Sequence, residues 1–234
     1  MTEDLSFEVY LSISKKKFEI YLLNKKNLKN IFKDEFFIED ESDLIDYNLL
    51  SNFLDKNIFK IEKLIGNFLK SILLIIENKQ ILNLSIGIKK LNYGEKINKQ
   101  YLQGSLAELK DLFNQSYQNN KIMHFIINKY LIDGVNYKSF DEEIDGENIC
   151  VEVNFISIPN TLNEEISDVL AKYQIKIDRL LERKYVNNFF EEKNSDLSVS
   201  AFKIHSGQNY NEIGLMPKSK KKKGFFEKFF QLFS

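Results

Sequence analysis

The chain has 234 residues, of which 43% are hydrophobic and 29% charged, a balance typical of a globular protein with a buried core. Its formal net charge of −1 conceals an asymmetry, because residues 217–234 contain six lysines and one glutamate and the remainder carries −6. An acidic body argues against general nucleic-acid binding by that body, and a single cysteine excludes an internal disulfide framework.

The start of the chain and its apolar runs bear on its location. The first ten residues, MTEDLSFEVY, are acidic and lack the basic start and apolar core of a signal peptide. No stretch approaches the roughly 20 consecutive apolar residues that a membrane-spanning helix needs. We therefore expect a protein on the cytoplasmic side of the membrane.

Alternation of apolar and polar residues predicts strands along most of the chain. Residues 7–13 and 18–23 should form a hairpin around a polar turn at residues 15–17. The run SILLIIE at residues 71–77 is continuously apolar, which indicates a buried strand. The other predicted strands cover residues 28–38, 81–91, 121–131, 149–158, 175–181 and 197–204.

Apolar residues at helical spacing predict the helices. The longest covers residues 47–70, with Asp46 as its N-cap and both Leu64 and Phe68 on its buried face. The other predicted helices cover residues 101–118, residues 162–173 after an N-cap at Thr161, and residues 185–192.

The last segment, PKSKKKKGFFEKFFQLFS, differs in character from the rest. Residues 217–223 should form a basic linker, and on a helix residues 224–234 place their apolar side chains on one side. The predicted membrane-binding residues are Lys218, Lys220, Lys221, Lys222, Lys223, Phe225, Phe226, Phe229, Phe230 and Phe233, with Leu232 on the same face. Such a pattern is typical of a segment that lies in an anionic membrane surface. A terminal helix packed back on the body is the alternative.

The sequence carries no recognisable catalytic or metal-binding motif. His124 and His205 are far apart, and neither a His-Glu-x-x-His nor a paired-cysteine motif occurs. The Gly-x-Ser-x-Gly elbow of hydrolases and the glycine-rich phosphate loops are also absent. We therefore expect no catalytic residues, no metal and no cofactor, and the protein is predicted not to be an enzyme.

Three internal stretches resemble part of the bacterial cell-division protein FtsA, an actin-like adaptor. They read HFIINKYLIDG at residues 124–134, ICVEVNFISIP at residues 149–159 and IKIDRLL at residues 175–181. Their order and spacing are similar to the small subdomain that FtsA inserts into its first lobe, including a Tyr-x-x-Asp-Gly pattern at Tyr130 to Gly134. The opening hairpin, the sequence NEIGL and the terminal amphipathic segment are similar to FtsA as well.

The resemblance implies a mixed α+β and α/β fold. It consists of an actin-like (ribonuclease-H-like) partial first lobe with an FtsA-type inserted α+β subdomain, followed by a C-terminal amphipathic helix. The implied domains are residues 1–95 for first-lobe strands and helix, 96–184 for the inserted subdomain, 185–216 for a return segment, 217–223 for the linker and 224–234 for the membrane-targeting helix.

The chain departs from the family at the first turn. Actin-like ATPases hold phosphate there with an Asp-x-Gly-Ser/Thr pattern, and the corresponding positions here are Ser12, Ile13, Ser14 and Lys15. The chain is also too short for the second lobe, which in FtsA carries the docking surface for the FtsZ tail. The resemblance is therefore to a shortened, degenerate member with a degenerate phosphate turn at Ser12 and Ser14, and ATP binding is not expected.

Together the tail and the resemblance predict a membrane-tethered, non-enzymatic adaptor of cell division, peripheral on the inner face of the cell membrane at the division site. Its expected partners are anionic lipid and divisome proteins, either FtsZ, directly or indirectly, or later division proteins. Self-association would add avidity. Two alternatives stay open: an actin-like ATP-binding protein that self-assembles, and a nucleic-acid binder that uses the lysine tail. One-sided aromatics disfavour the nucleic-acid binder, because base stacking uses aromatics that are spread out.

Overall fold

The computed structural model describes residues 6–39, 44–94, 96–137, 143–189 and 196–213. The predicted basic linker at 217–223 and amphipathic helix at 224–234, with all their membrane-binding residues, lie outside the described residues. The chain divides into two compact units. Of the described residues, those at 6–81 and 158–208 form unit 1, and those at 82–157 and 209–213 form unit 2.

Nine strands and five helices follow one another within the described residues. The strands are β1 (Phe7–Ile13), β2 (Lys17–Asn24), β3 (Lys29–Phe37), β4 (Ser71–Ile76), β5 (Leu82–Leu91), β6 (Asn120–Ile132), β7 (Val135–Tyr137), β8 (Asn148–Pro159) and β9 (Lys176–Glu182). The helices are α1 (Tyr47–Ile65), α2 (Lys99–Ser116), α3 (Asn160–Ala171), α4 (Arg183–Phe189) and α5 (Leu197–His205). None of the described helices is long and apolar enough to cross a membrane.

Unit 1 is built on a five-stranded sheet with the order β3-β2-β1-β4-β9. The first three strands are antiparallel, whereas β4 runs parallel to β1 and β9 runs parallel to β4. Every residue of β4 after its first is buried, as a continuous apolar run in the middle of a sheet requires. The predicted mixed fold class, with an actin-like (ribonuclease-H-like) partial first lobe, is confirmed over the described residues. The C-terminal amphipathic helix of that prediction lies outside them.

Helix α1 begins where the sequence predicts and ends earlier. The Asp46 carboxylate accepts hydrogen bonds from the backbone N–H groups of Asn48 (2.9 Å) and Leu49 (3.0 Å), which confirms the predicted N-cap. Gly66 follows the helix with φ 69°, a left-handed conformation that ends helices and favours glycine. The assignment of Leu64 and Phe68 to the buried face was wrong, since they are 51% and 79% exposed. Leu64 lies in the last turn of α1, beyond its last buried residue Ile61, and Phe68 lies after the helix has ended.

Unit 2 is built on a four-stranded sheet with the order β5-β8-β6-β7. The aromatic rings of Phe113, Phe125 and Phe155 stack in its core, with centroids 4.5 Å apart for Phe113 and Phe155 and 4.6 Å apart for Phe125 and Phe155. Residues 209–213 also belong to this unit. The Ile127 N–H donates to the Asn211 carbonyl (2.8 Å) and the Ile213 N–H donates to the Phe125 carbonyl (2.7 Å), so this segment runs antiparallel to β6.

The boundaries of the inserted part differ from the predicted 96–184. Strand β5 pairs with β8 in the second sheet, so unit 2 starts at Leu82. Strand β9 pairs with β4 in the first sheet, because its buried Leu180 and Leu181 complete the apolar layer beside β4. Part of the predicted return segment, residues 209–213, lies in unit 2 as well.

Two local predictions were wrong. Residues 197–204, expected to be a strand, lie in helix α5, because Leu197, Ala201 and Ile204 repeat every three to four residues and are buried together. Thr161 does not cap α3, which starts one residue earlier and has no side-chain cap.

A candidate functional site at the first turn

The carboxyl ends of the three parallel strands of unit 1 meet at one edge of the sheet. Ser14 follows β1, Glu77 follows β4 and Arg183 follows β9. In open α/β sheets, ligands bind beyond these strand ends. A cavity of about 390 Å³ lies here, in the range of small ligand sites. We call it the turn pocket. Its basic lining residues are Lys15, Lys16, Lys17, Lys79, Arg183 and Lys184.

Ser12 and Ser14, the two serines of the predicted degenerate phosphate turn, are buried and form hydrogen bonds within the chain. The Ser12 hydroxyl accepts a hydrogen bond from Arg183 Nη1 at 2.5 Å. The Ser14 hydroxyl donates to the Lys17 carbonyl (3.0 Å) and accepts from the Lys17 N–H (3.2 Å). The backbone N–H of Ser14 also donates to the Lys17 carbonyl (3.1 Å). These groups therefore close the β1–β2 hairpin.

A buried ion pair lies beneath the turn. Arg183 Nη1 lies 2.6 Å from Glu19 Oε2, and Lys17 Nζ lies 2.7 Å from Glu19 Oε1. The Tyr21 hydroxyl donates to the same Glu19 oxygen (2.7 Å). Burial on its own would raise the pKa of the Glu19 carboxyl, but hydrogen bonds from Lys17, Tyr21 and Arg183, together with the Arg183 charge, lower it.

Sequence reasoning missed Glu19 and Arg183, although two signals were available. Glu19 interrupts a strand whose neighbouring residues are all apolar, and a charge in a strand buried on both faces needs a partner. Arg183 is one of two arginines in a chain whose other basic residues are lysines. The planar guanidinium can contact a hydroxyl and a carboxylate together, which a lysine ammonium does less well.

The actin-like fold implies a nucleotide, and the residues of the turn do not fit one held in the family's manner. A phosphate cradle needs backbone N–H groups that point at the anion, whereas the N–H groups of Ser14 and Lys17 are bonded within the hairpin. The Glu182 carboxylate caps α4 by accepting from the N–H groups of Lys184 (3.0 Å) and Tyr185 (2.5 Å). Among the described residues, no group of three or more His, Cys, Asp or Glu side chains could hold a metal ion.

Neither histidine is among the described residues that line the turn pocket. His124 Nδ1 lies 2.7 Å from Glu212 Oε1, and both side chains are buried in unit 2. The pair thus joins β6 to the segment at residues 209–213. His205 lies in α5, and burial lowers the pKa of its imidazole.

The Tyr-x-x-Asp-Gly pattern has a structural role in unit 2. Asp133 and Gly134 turn the chain between β6 and β7 with φ values of 47° and 83°. The Asp133 carboxylate accepts from the N–H groups of Asn148 (2.8 Å) and Glu147 (3.1 Å), and these bonds lower its pKa. A Cβ on Gly146 would lie 2.3 Å from Ile132, so this close approach requires glycine.

No family model matches the chain, and no curated protein matches it either. Several solved structures are similar. Three of them are a PilM-PilN type IV pilus biogenesis complex (8% identity, TM-score 0.49), the cytoplasmic domain of EpsL, an inner membrane component of the type II secretion system of Vibrio cholerae (9%, 0.37), and a Bacteroides thetaiotaomicron protein of unknown function with an actin-like ATPase fold (15%, 0.35).

These matches cover 78%, 77% and 80% of this chain and 49%, 57% and 57% of the other chains, respectively. The chain thus spans about half to three-fifths of the length of the structures that it matches. At such identities the similarity concerns the fold alone, and none of the three is FtsA, so the FtsA assignment stays a prediction.

Proposed function

We propose that the chain is a non-enzymatic adaptor of actin-like fold that residues 217–234 tether to an anionic membrane surface, where its body holds protein partners. The observation that carries the proposal is the closed first turn. Arg183 donates hydrogen bonds to Ser12 and to Glu19 where a nucleotide-hydrolysing relative would hold phosphate. Binding, rather than catalysis, is the role that such a body supports.

The composition of the tail supports the tether. Five lysines precede the aromatic segment, and each basic residue near an anionic surface contributes about 1 kcal/mol. Phenylalanines on one side of a predicted helix add apolar burial at the headgroup boundary. A segment this short gives weak, reversible binding, so self-association or a partner would supply the avidity for stable attachment.

Bacterial cell division is the setting that the FtsA resemblance suggests for this adaptor, with divisome proteins as its partners. A fluorescent fusion in its native cells tests the setting: the division assignment predicts a band at midcell. Even labelling of the membrane would support the tether and contradict the division role.

Deleting residues 224–234 should abolish co-sedimentation with anionic vesicles, because the deletion removes every aromatic side chain of the tail. The full chain should bind anionic vesicles, bind zwitterionic vesicles weakly and lose binding as salt is raised, since screening weakens the lysine contribution. Unchanged sedimentation of the deletion variant would overturn the tether. Tighter binding of the full chain to duplex DNA than to vesicles would favour the nucleic-acid alternative.

A further inference from the structure

We propose that the turn pocket of unit 1 binds an acidic peptide segment of a partner protein. The inference deepens the proposed function, on which it rests, by naming the chemistry of the partner that the adaptor holds. It is carried by three features of the pocket: its charge, its apolar wall and the strand edge that ends beside it.

The charge of the pocket is one-sided. Of its eleven described lining residues six are basic and one, Glu77, is acidic, a net formal charge of +5. The side chains of Lys15, Lys16, Lys79 and Lys184 are exposed around the opening. Lys17 and Arg183 lie deeper, where Glu19 holds both in place. A rim of exposed ammonium groups attracts carboxylates from solution and accelerates their encounter.

Apolar groups adjoin these cations. Leu44 and Ile45 line the pocket, and Leu44 is 80% exposed. Phe37 at the end of β3 is 63% exposed, and Lys17 Nζ lies 5.7 Å from the centroid of its ring. A ligand whose apolar side chains pack on Leu44 or Phe37 gains free energy from their burial. An acidic peptide with leucine or phenylalanine residues offers such side chains together with carboxylates for the lysines.

A strand edge leads to the pocket. Within the part of the chain that the structure describes, β3 is one of the two edge strands of the sheet of unit 1, and its outer side pairs with no other strand. Its last residue, Phe37, pairs with Lys17, and the following Ile38 N–H donates to the Lys16 carbonyl at 2.8 Å. Extended peptides add to such edges through backbone hydrogen bonds, and pockets beside the edge select their side chains. A peptide paired with β3 would thus bring its end to the lysines.

A nucleotide fits these features less well than a peptide does. The Ser14 and Lys17 N–H groups, which would hold a phosphate, are bonded inside the hairpin. A small phosphate ligand also leaves the exposed wall at Leu44 and Phe37 uncovered.

The test uses the full chain and a fluorescein-labelled synthetic peptide of alternating paired glutamates and leucines, with binding followed by fluorescence anisotropy at low salt. The variant Lys15→Glu/Lys16→Glu/Lys79→Glu should weaken binding by at least about tenfold. The matched control Lys26→Glu/Lys60→Glu/Lys89→Glu, which reverses three exposed lysines that do not line the pocket, should change affinity by less than about twofold. A peptide with glutamine in place of glutamate should not bind.

Several outcomes would overturn the proposal: no binding of the acidic peptide, equal binding by the pocket and control variants, or full displacement of the peptide by MgATP or inorganic phosphate. All variants keep the tail, so their vesicle co-sedimentation should equal that of the wild type. A wild-type chain that binds vesicles but not the acidic peptide therefore refutes the pocket alone and leaves the tether standing. The variant that lacks residues 224–234 should lose vesicle binding and still bind the peptide. This result would show that the tether and the pocket act independently.

Discussion

Replacing Arg183 with alanine should lower the free energy of unfolding by about 3 kcal/mol, as measured by urea denaturation followed by circular dichroism. The substitution removes the guanidinium that lies 2.6 Å from the buried Glu19 carboxylate. Breaking a buried pair from one side leaves a charge without its compensation and costs about 3–5 kcal/mol. We expect a loss at the low end of this range, because Lys17 Nζ still lies 2.7 Å from the Glu19 carboxylate. Ser12 loses a hydrogen bond as well, so the turn should loosen.

The control and the pH dependence distinguish this mechanism from a general loss of packing. Lys60→Ala, at an exposed position on α1, should change stability by less than about 0.5 kcal/mol. The lowered pKa of Glu19 means that its ionisation stabilises the fold above its ordinary value of 4.5 and that this contribution is lost as pH falls through the folded pKa. The stability difference between wild type and Arg183→Ala should therefore shrink below pH 4.5. A difference that is independent of pH would contradict the ion-pair explanation.

Replacing His124 with leucine should release the segment at residues 209–213 from β6. The Glu212 carboxylate then lies buried without the imidazole that was 2.7 Å away, and detachment of this short segment returns it to water. We expect hydrogen exchange at the Ile127 and Ile213 amides, which join the segment to β6, to rise by about 100-fold. Exchange detected by nuclear magnetic resonance or mass spectrometry reports this directly.

The double variant His124→Leu/Glu212→Leu is the matched control. It replaces the buried polar pair by two apolar side chains, a change that is often neutral in cores. Protection of the Ile127 and Ile213 amides should therefore return close to that of the wild type. If the single and double variants exchange equally fast, the effect arises from the size of the imidazole and not from its pairing with Glu212.

The local pattern of apolar and polar residues was sufficient to predict most helices and strands. The alternation of FEVYLSI predicts β1 at its observed bounds, and the Asp46 side chain marks the start of α1. The continuous run at β4 identifies a strand buried on both faces. In each case the signal lies within the element or a few residues from it, because the hydrophobic period and the capping residues can be recognised from the sequence.

Long-range pairing explains what the sequence did not reveal. Glu19 and Arg183 are 164 residues apart, and His124 and Glu212 are 88 apart, so neither pair has a local signature. For the same reason, the prediction assigned β9 to the inserted subdomain, although it pairs with β4 in the sheet of unit 1. The residue pattern of a strand does not say which strand is its neighbour. For α5, the nine residues LSVSAFKIH fit both a strand and a helix period, and only the burial of Leu197, Ala201 and Ile204 in the core of unit 1 decides for a helix.

The tether, the central claim, is tested most directly by two variants that add the same charge at neighbouring positions of the tail. On the predicted helix, Phe229 lies in the middle of the apolar side and Gln231 lies on the polar side. Phe229→Glu should lower partitioning onto anionic vesicles by at least about 30-fold, because burial of a phenylalanine contributes roughly 2 kcal/mol. Gln231→Glu should lower it by no more than about fivefold, the effect of one charge. Equal losses in the two variants would contradict an inserted apolar face and reduce the tail to a polybasic segment.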